Sequence, residues 1–117
     1  MSQRAVTNIV AGNASIGINQ QWRDVTSQRQ GGVTYTNKTG RPIAVFVRTK
    51  TKLAEEPAAL GIGGSVDGIQ VAFNGSDYGG LKISLSVNFI VPAGANYVVN
   101  ALLGHADNFV SSWVELR

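Results

Sequence analysis

Residues 22–47 read WRDVTSQRQGGVTYTNKTGRPIAVFV, two β-type runs separated by a segment that suits neither helix nor continued strand. Val33, Tyr35 and Asn37 alternate with Thr34 and Thr36, the period-2 pattern of β-branched and aromatic residues that fits a half-buried pleated strand. Asn37-Lys38-Thr39-Gly40 then ends it. Asn bonds its own backbone, Gly takes a positive φ without steric penalty, and Pro42 fixes φ at the entry to the next run. The pattern predicts a hairpin whose second, longer strand covers residues 43–51. Residues 43–47 are apolar at every position, which predicts burial on both faces, one of them against a partner chain.

Further along, Ile83, Leu85, Val87 and Phe89 alternate with Lys82, Ser84, Ser86 and Asn88, a strand packed on one side and wet on the other. Shorter strands are predicted at residues 16–18, 22–26 (with Trp22 and Val25 turned inward), 69–73, 96–101 and 110–116. Asn74-Gly75-Ser76 and Pro92-Ala93-Gly94 are read as turns. Residues 53–60, LAEEPAAL, hold Pro57 and are too short for a stable helix, so they form a loop or a single turn. The glycine-rich residues 61–80 are read as a variable loop region around one strand. About seven or eight short strands with frequent turns predict an all-β chain, a single-domain antiparallel β-sandwich over residues 16–117. Residues 1–15 are a lead-in that exchanges with a neighbour.

Composition narrows the partners. With 44% hydrophobic and 15% charged residues the chain is not disordered and keeps apolar surface that an oligomer would hide. There is no Cys, hence no disulfide or thiolate metal site. No apolar run reaches the roughly 18 residues of a membrane span, and the start MSQRAVTNIVAG has too short an apolar core for a signal peptide; neither membrane insertion nor export by that route is expected. A net charge of +3 is mild for a nucleic-acid binder, and none is expected as partner. Arg48, Lys50 and Lys52 nevertheless share one strand face opposite Val47, Thr49, Thr51 and Leu53. That basic stripe either binds phosphates or acidic sugars or is a solvated edge that discourages aggregation.

Catalytic chemistry finds little support. His105, near Asp107, is the sole histidine, so neither a triad nor a usual zinc site has its second partner; no cofactor or metal is expected. The seven acids, Asp24, Glu55, Glu56, Asp67, Asp77, Asp107 and Glu115, contain a carboxylate pair by number alone. Gly61-Ile62-Gly63-Gly64 lacks the Lys-Ser or Lys-Thr of a phosphate loop. Most aromatics occupy alternating strand positions and read as core or interface, Trp22 and Trp113 as structural anchors. Tyr78 stands apart, between Ser76-Asp77 and Gly79-Gly80. An exposed ring flanked by hydrogen-bonding groups is a way to hold a sugar, which makes Asn74, Asp77 and Tyr78 candidate binding residues.

Three segments carry a family resemblance. Residues 17–47 follow a pattern GxxQxW-D-VT-xR-x-GxTYTN-TG-xPI, residues 89–97 read FIVPAGANY with a proline-glycine hairpin, and residues 112–117 read SWVELR. In order and spacing they resemble the C-terminal knob domains at the tips of phage and prophage tail fibres. The resemblance implies a homotrimer joined to the rest of a fibre, assembled in the bacterial cytoplasm. Its implied role at the tip of a virion is non-catalytic attachment to a surface polysaccharide or outer-membrane receptor of the host. A purely structural trimerising cap is the alternative it also allows, and a polysaccharide-cleaving spike a third. Residues 53–80 match nothing in that pattern.

Overall fold

A computed structural model describes residues 16–53, 60–76, 82–103 and 109–117; the lead-in, residues 54–59, and the segments holding Asp77, Tyr78, His105 and Asp107 lie outside the described residues. The chain is an all-β sandwich. Among the described residues ten strands follow one another: β1 (Trp22–Asp24), β2 (Tyr35–Thr36), β3 (Ile43–Thr49), β4 (Lys52–Leu53), β5 (Leu60–Val66), β6 (Ile69–Ser76), β7 (Lys82–Ile83), β8 (Ser86–Val91), β9 (Asn96–Leu103) and β10 (Val110–Leu116). Sheet one has the order β1-β10-β3-β8, sheet two β2-β9-β5-β6, and β4 and β7 form a two-stranded ribbon. All pairings are antiparallel. The core lies between the two four-stranded sheets, where Ile43, Val45, Val47, Val91 and Trp113 of sheet one meet Ile62, Tyr97 and Val99 of sheet two, each at most 1% exposed.

The predicted hairpin at residues 33–47 is a crossover between sheets instead. β2 pairs with β9 in sheet two, whereas β3 lies between β10 and β8 in sheet one. The pivot is Asn37, 2% exposed. Its side-chain amide lies within hydrogen-bond reach of the carbonyls of Arg41 (2.6 Å), Val91 (3.1 Å) and Pro92 (3.1 Å), and its Oδ1 accepts from Thr39 N and Oγ1. Its backbone N–H donates to Ala95 O, and its carbonyl accepts from Gly94 N, both at 2.9 Å. Pro92-Ala93-Gly94, expected as a hairpin turn, is the second crossover, from β8 to β9. One buried amide thus ties the two corners together and satisfies backbone groups that leaving both sheets would orphan.

Two expectations about residues 61–76 also change. β5 is a full strand where a glycine loop was expected, and Asn74-Gly75-Ser76 continues β6 rather than turning. The turn is at Asp67-Gly68, with φ of 49° and 83°, the paired positive values of a tight two-residue hairpin. Glycine inside β5 has a packing reason: a Cβ on Gly64 would sit 2.4 Å from Phe89 Cε1, a ring only 7% exposed. Gly64→Ala should therefore destabilise the domain by about 1–3 kcal/mol through overpacking. Urea denaturation checks this, and an unchanged midpoint would mean that the Phe89 ring has room to shift.

Trp22 is not turned inward. Residues 22 and 25 are an odd number apart, so a regular strand cannot bury both; Val25 is 6% exposed and Trp22 59%. Residues 16–18, read as strand, form a turn. Trp113 is fully buried, as expected.

Candidate functional site

The segments that carry the resemblance meet around one carboxylate. Trp113 and Glu115 are two apart on β10 and point the same way, into the core. Glu115 Oε2 accepts from Tyr97 Oη (2.8 Å), Trp113 Nε1 (3.0 Å) and Arg29 Nε (3.2 Å); its Oε1 accepts from Arg117 Nη1 (2.9 Å) and Arg29 Nη2 (3.2 Å). The Arg29 guanidinium lies 4.7 Å over the Tyr35 ring, and Tyr35 meets Trp113 edge-on at 5.8 Å. Burial pushes the Glu115 carboxyl up, but the hydrogen bonds from Arg29, Tyr97 and Trp113 outweigh it and hold the group below its usual value. Burial and the Glu115 charge push the Tyr97 phenol up to about 12. With five donors spoken for, Glu115 has nothing left to offer a substrate. This cluster is framework, and the sequence reading missed it, although the parity of Trp113 and Glu115 signals a buried acid.

The candidate binding residues do not form one site. Asn74 is half-buried and its amide donates to Ser86 O (3.0 Å), a tie from β6 across to β8. Asp77 and Tyr78 lie outside the described residues. Arg48 and Lys50 are exposed and Val47 and Thr49, on either side of Arg48, are buried, so the expected alternation holds through residue 50; Lys52 follows on β4. β3 is an interior strand of sheet one, so edge protection does not account for Arg48. Of the acids described, Asp24 accepts from Thr26 N (3.0 Å) and Oγ1 (2.6 Å), bonds that hold its carboxyl below the usual range. Among the described residues no group of three or more His, Cys, Asp or Glu is placed to hold a metal.

The two outward faces of the sandwich differ in chemistry. On sheet one, Trp22, Leu116, Ala44 and Ile90 are register neighbours, an apolar row crossing all four strands. Beside it run Asp24, Val114, Phe46 and Asn88, then Ser112, Arg48 and Ser86. Trp22 and Ile90, at the two ends of the apolar row, are 59% and 52% exposed. Sheet two presents hydroxyls and amides on β2, β5 and β9, while its edge strand β6 carries the exposed apolar side chains Ile69, Val71 and Phe73. Thr34, Thr36, Ser65, Asn96 and Asn100 are exposed or half-buried, while Tyr97, Val99 and Val66 between them turn inward. A shallow cup of about 230 Å³ opens there, lined by Thr34, Ser65, Asp67, Gly68, Asn96, Tyr97 and Val98. Its rim is tied: Asp67 N donates to Asn96 O and Asn96 N to Asp67 Oδ1, both at 2.9 Å, and Thr36 Oγ1 donates to Asn96 Oδ1 at 2.6 Å.

No protein-family model matches the sequence, and no curated protein matches it.

Proposed function

We propose that the chain is the attachment knob of a phage or prophage tail fibre, a homotrimer that binds a glycan of the bacterial surface and makes or breaks no bond. The observation that carries this is an apolar row across sheet one together with a cluster of hydroxyls and amides on β2, β5 and β9 of sheet two. An apolar row across four strands suits contact between copies, because a lone soluble domain keeps such a face polar. A cluster of hydroxyls and amides suits polyhydroxylated ligands, whose own groups both donate and accept. The three-segment resemblance supplies the biological setting, the tip of a virion's tail fibre joined to the rest of that fibre.

In this mechanism each copy binds weakly, and three copies on one axis raise the apparent affinity without any new contact. The sealed Glu115 cluster ties β10 to β9 and to the Arg29 segment, so that variation at the surface does not disturb the frame.

Adsorption of the labelled domain to a panel of bacterial strains tests the reading. Binding should saturate on some strains and be competed by the isolated surface polysaccharide of those strains. Saturable binding that this polysaccharide fails to compete would point to an outer-membrane protein instead. A correctly assembled domain that adsorbs to no strain would leave the structural cap as the better account, and shortening of the polysaccharide during incubation would make it an enzyme.

A further inference from the structure

We infer that the cup on sheet two is where the receptor is read, and that it takes a single neutral sugar ring rather than an acidic one; this rests on the attachment reading above. The volume comes first. About 230 Å³ is below the roughly 300–1,000 Å³ of pockets for drug-sized ligands, room for one ring and not for a chain.

The polar groups come from four separate places in the sequence: Thr34 before β2, Ser65 on β5, Asp67 in the β5–β6 turn, and Asn96 at the start of β9. The side-chain hydroxyls of Thr34 and Ser65 make no hydrogen bond to another described residue, so both are available as donor or acceptor. Asp67 has one oxygen engaged, by Asn96 N, which leaves the other as an acceptor. Asn96 accepts Thr36 Oγ1 on its amide oxygen, which fixes the amide and leaves its nitrogen as a donor. Two hydroxyls, one carboxylate oxygen and one amide N–H around half-buried Val98 make a small set of fixed polar groups beside an apolar contact, the composition that recognises vicinal hydroxyls on a ring with a C–H face.

Charge decides between neutral and acidic ligands. The lining contains one carboxylate and no Lys or Arg, so a uronic acid, a sialic acid or a phosphorylated sugar meets repulsion with nothing to offset it. The exposed cations Arg48 and Lys50 belong to the segment of sheet one, not to this face.

The cup is also pre-shaped. Its wall is the Asp67-Gly68 turn, held by two bonds to Asn96, and its floor is the β5–β9 pairing with Ser65 opposite Val98. Little ordering is needed on binding, which matters for a ligand that makes only a few hydrogen bonds.

The test uses the whole chain and two conservative variants, Thr34→Val and Asp67→Asn. Asn tolerates the positive φ of residue 67, so the turn survives that change. Both variants should keep the parent's mass and melting temperature while adsorption to receptive cells falls at least tenfold. Saturation-transfer NMR on the parent, with glucose, galactose, mannose and rhamnose against glucuronic and sialic acids, should show transfer to at least one neutral sugar and to neither acid. Both variants should lose that signal. If the parent adsorbs and both variants adsorb equally well, the cup is not the site although the attachment reading stands. If Arg48→Ala with Lys50→Ala abolishes adsorption and the acidic sugars show transfer, the basic stripe is the site and the inference is wrong. A parent that adsorbs to no strain overturns the attachment reading and this inference with it.

Discussion

Glu115→Ala should cost the domain about 3 kcal/mol or more at neutral pH, measured by urea denaturation, out of the roughly 5–15 kcal/mol that a domain has in total. The carboxylate is fully buried, and its removal leaves the Tyr97 hydroxyl, the Trp113 indole N–H and two guanidinium groups facing an apolar gap. Breaking a buried ion pair from one side typically costs about 3–5 kcal/mol, because the remaining charge stays desolvated. The side chains of Arg29 and Arg117 are 13% and 29% exposed, so water reaches them and the expected cost sits at the lower end. A loss below about 1 kcal/mol would mean that the arginines swing out to solvent and the core closes over the gap.

The same cluster sets a pH window. Glu115 is held below its unfolded value of 4.5, so its contribution is fully present above that value and is lost as pH falls through the lower folded value. Tyr97 is raised from 10.0 to about 12, so its contribution is present below 10 and is lost as pH climbs toward 12. Stability measured against pH should decline on both sides, and the alkaline decline should be absent in Tyr97→Phe.

The parts of the fold that were legible in the sequence are those where side chains alternate. β10 spans the residues expected of it, and residues 85–89 bury Leu85, Val87 and Phe89 as their parity requires, although the single strand expected over 82–89 is broken at residues 84–85 into β7, paired with β4, and β8 in sheet one. β5 was not legible because its signal is carried by what is missing: Gly64 leaves room for Phe89, and a run of LGIGGSV has too few side chains to show a period. Yet Asp67-Gly68 between two such runs is a strong short-range hairpin signal. The crossover at Asn37 was misread because a turn-forming sequence says that the chain reverses, not which sheet it joins; the deciding partners, Val91 and Pro92, lie 54 and 55 residues away.

The cup was illegible for a related reason. Thr34, Ser65, Asp67 and Asn96 are ordinary isolated polar residues in the sequence, and only the β9 register brings them together. Asn74, Asp77 and Tyr78, by contrast, stand out locally against glycine and strand residues. A site assembled across four elements has no local contrast to offer.

Assembly gives the other large effect expected. Light scattering at micromolar concentration should give a mass three times the 12.3 kDa of one chain, and Trp22→Glu combined with Ile90→Glu should return it to a single chain. The two residues end the apolar row Trp22, Leu116, Ala44, Ile90 and are the most exposed points on it. Covering a fully exposed Ile-sized side chain is worth roughly 1.5–3 kcal/mol, so half-exposed Ile90 retains about 1 kcal/mol per copy and the larger Trp22 more. A carboxylate at either place forfeits that gain and also requires a charge to be desolvated without a partner, at several kcal/mol. Two such changes should weaken association by well over a hundredfold, since each 1.4 kcal/mol is about tenfold. Both residues face away from the core, so the separated chain should keep its β-type circular dichroism, and Glu115 with its partners should stay in place. A parent mass of 12.3 kDa with no larger species would remove the trimer and leave the apolar row to some other partner. A parent of threefold mass that the double variant leaves intact would move the contact elsewhere, with exposed Val71 and Phe73 on edge strand β6 the next surface to change.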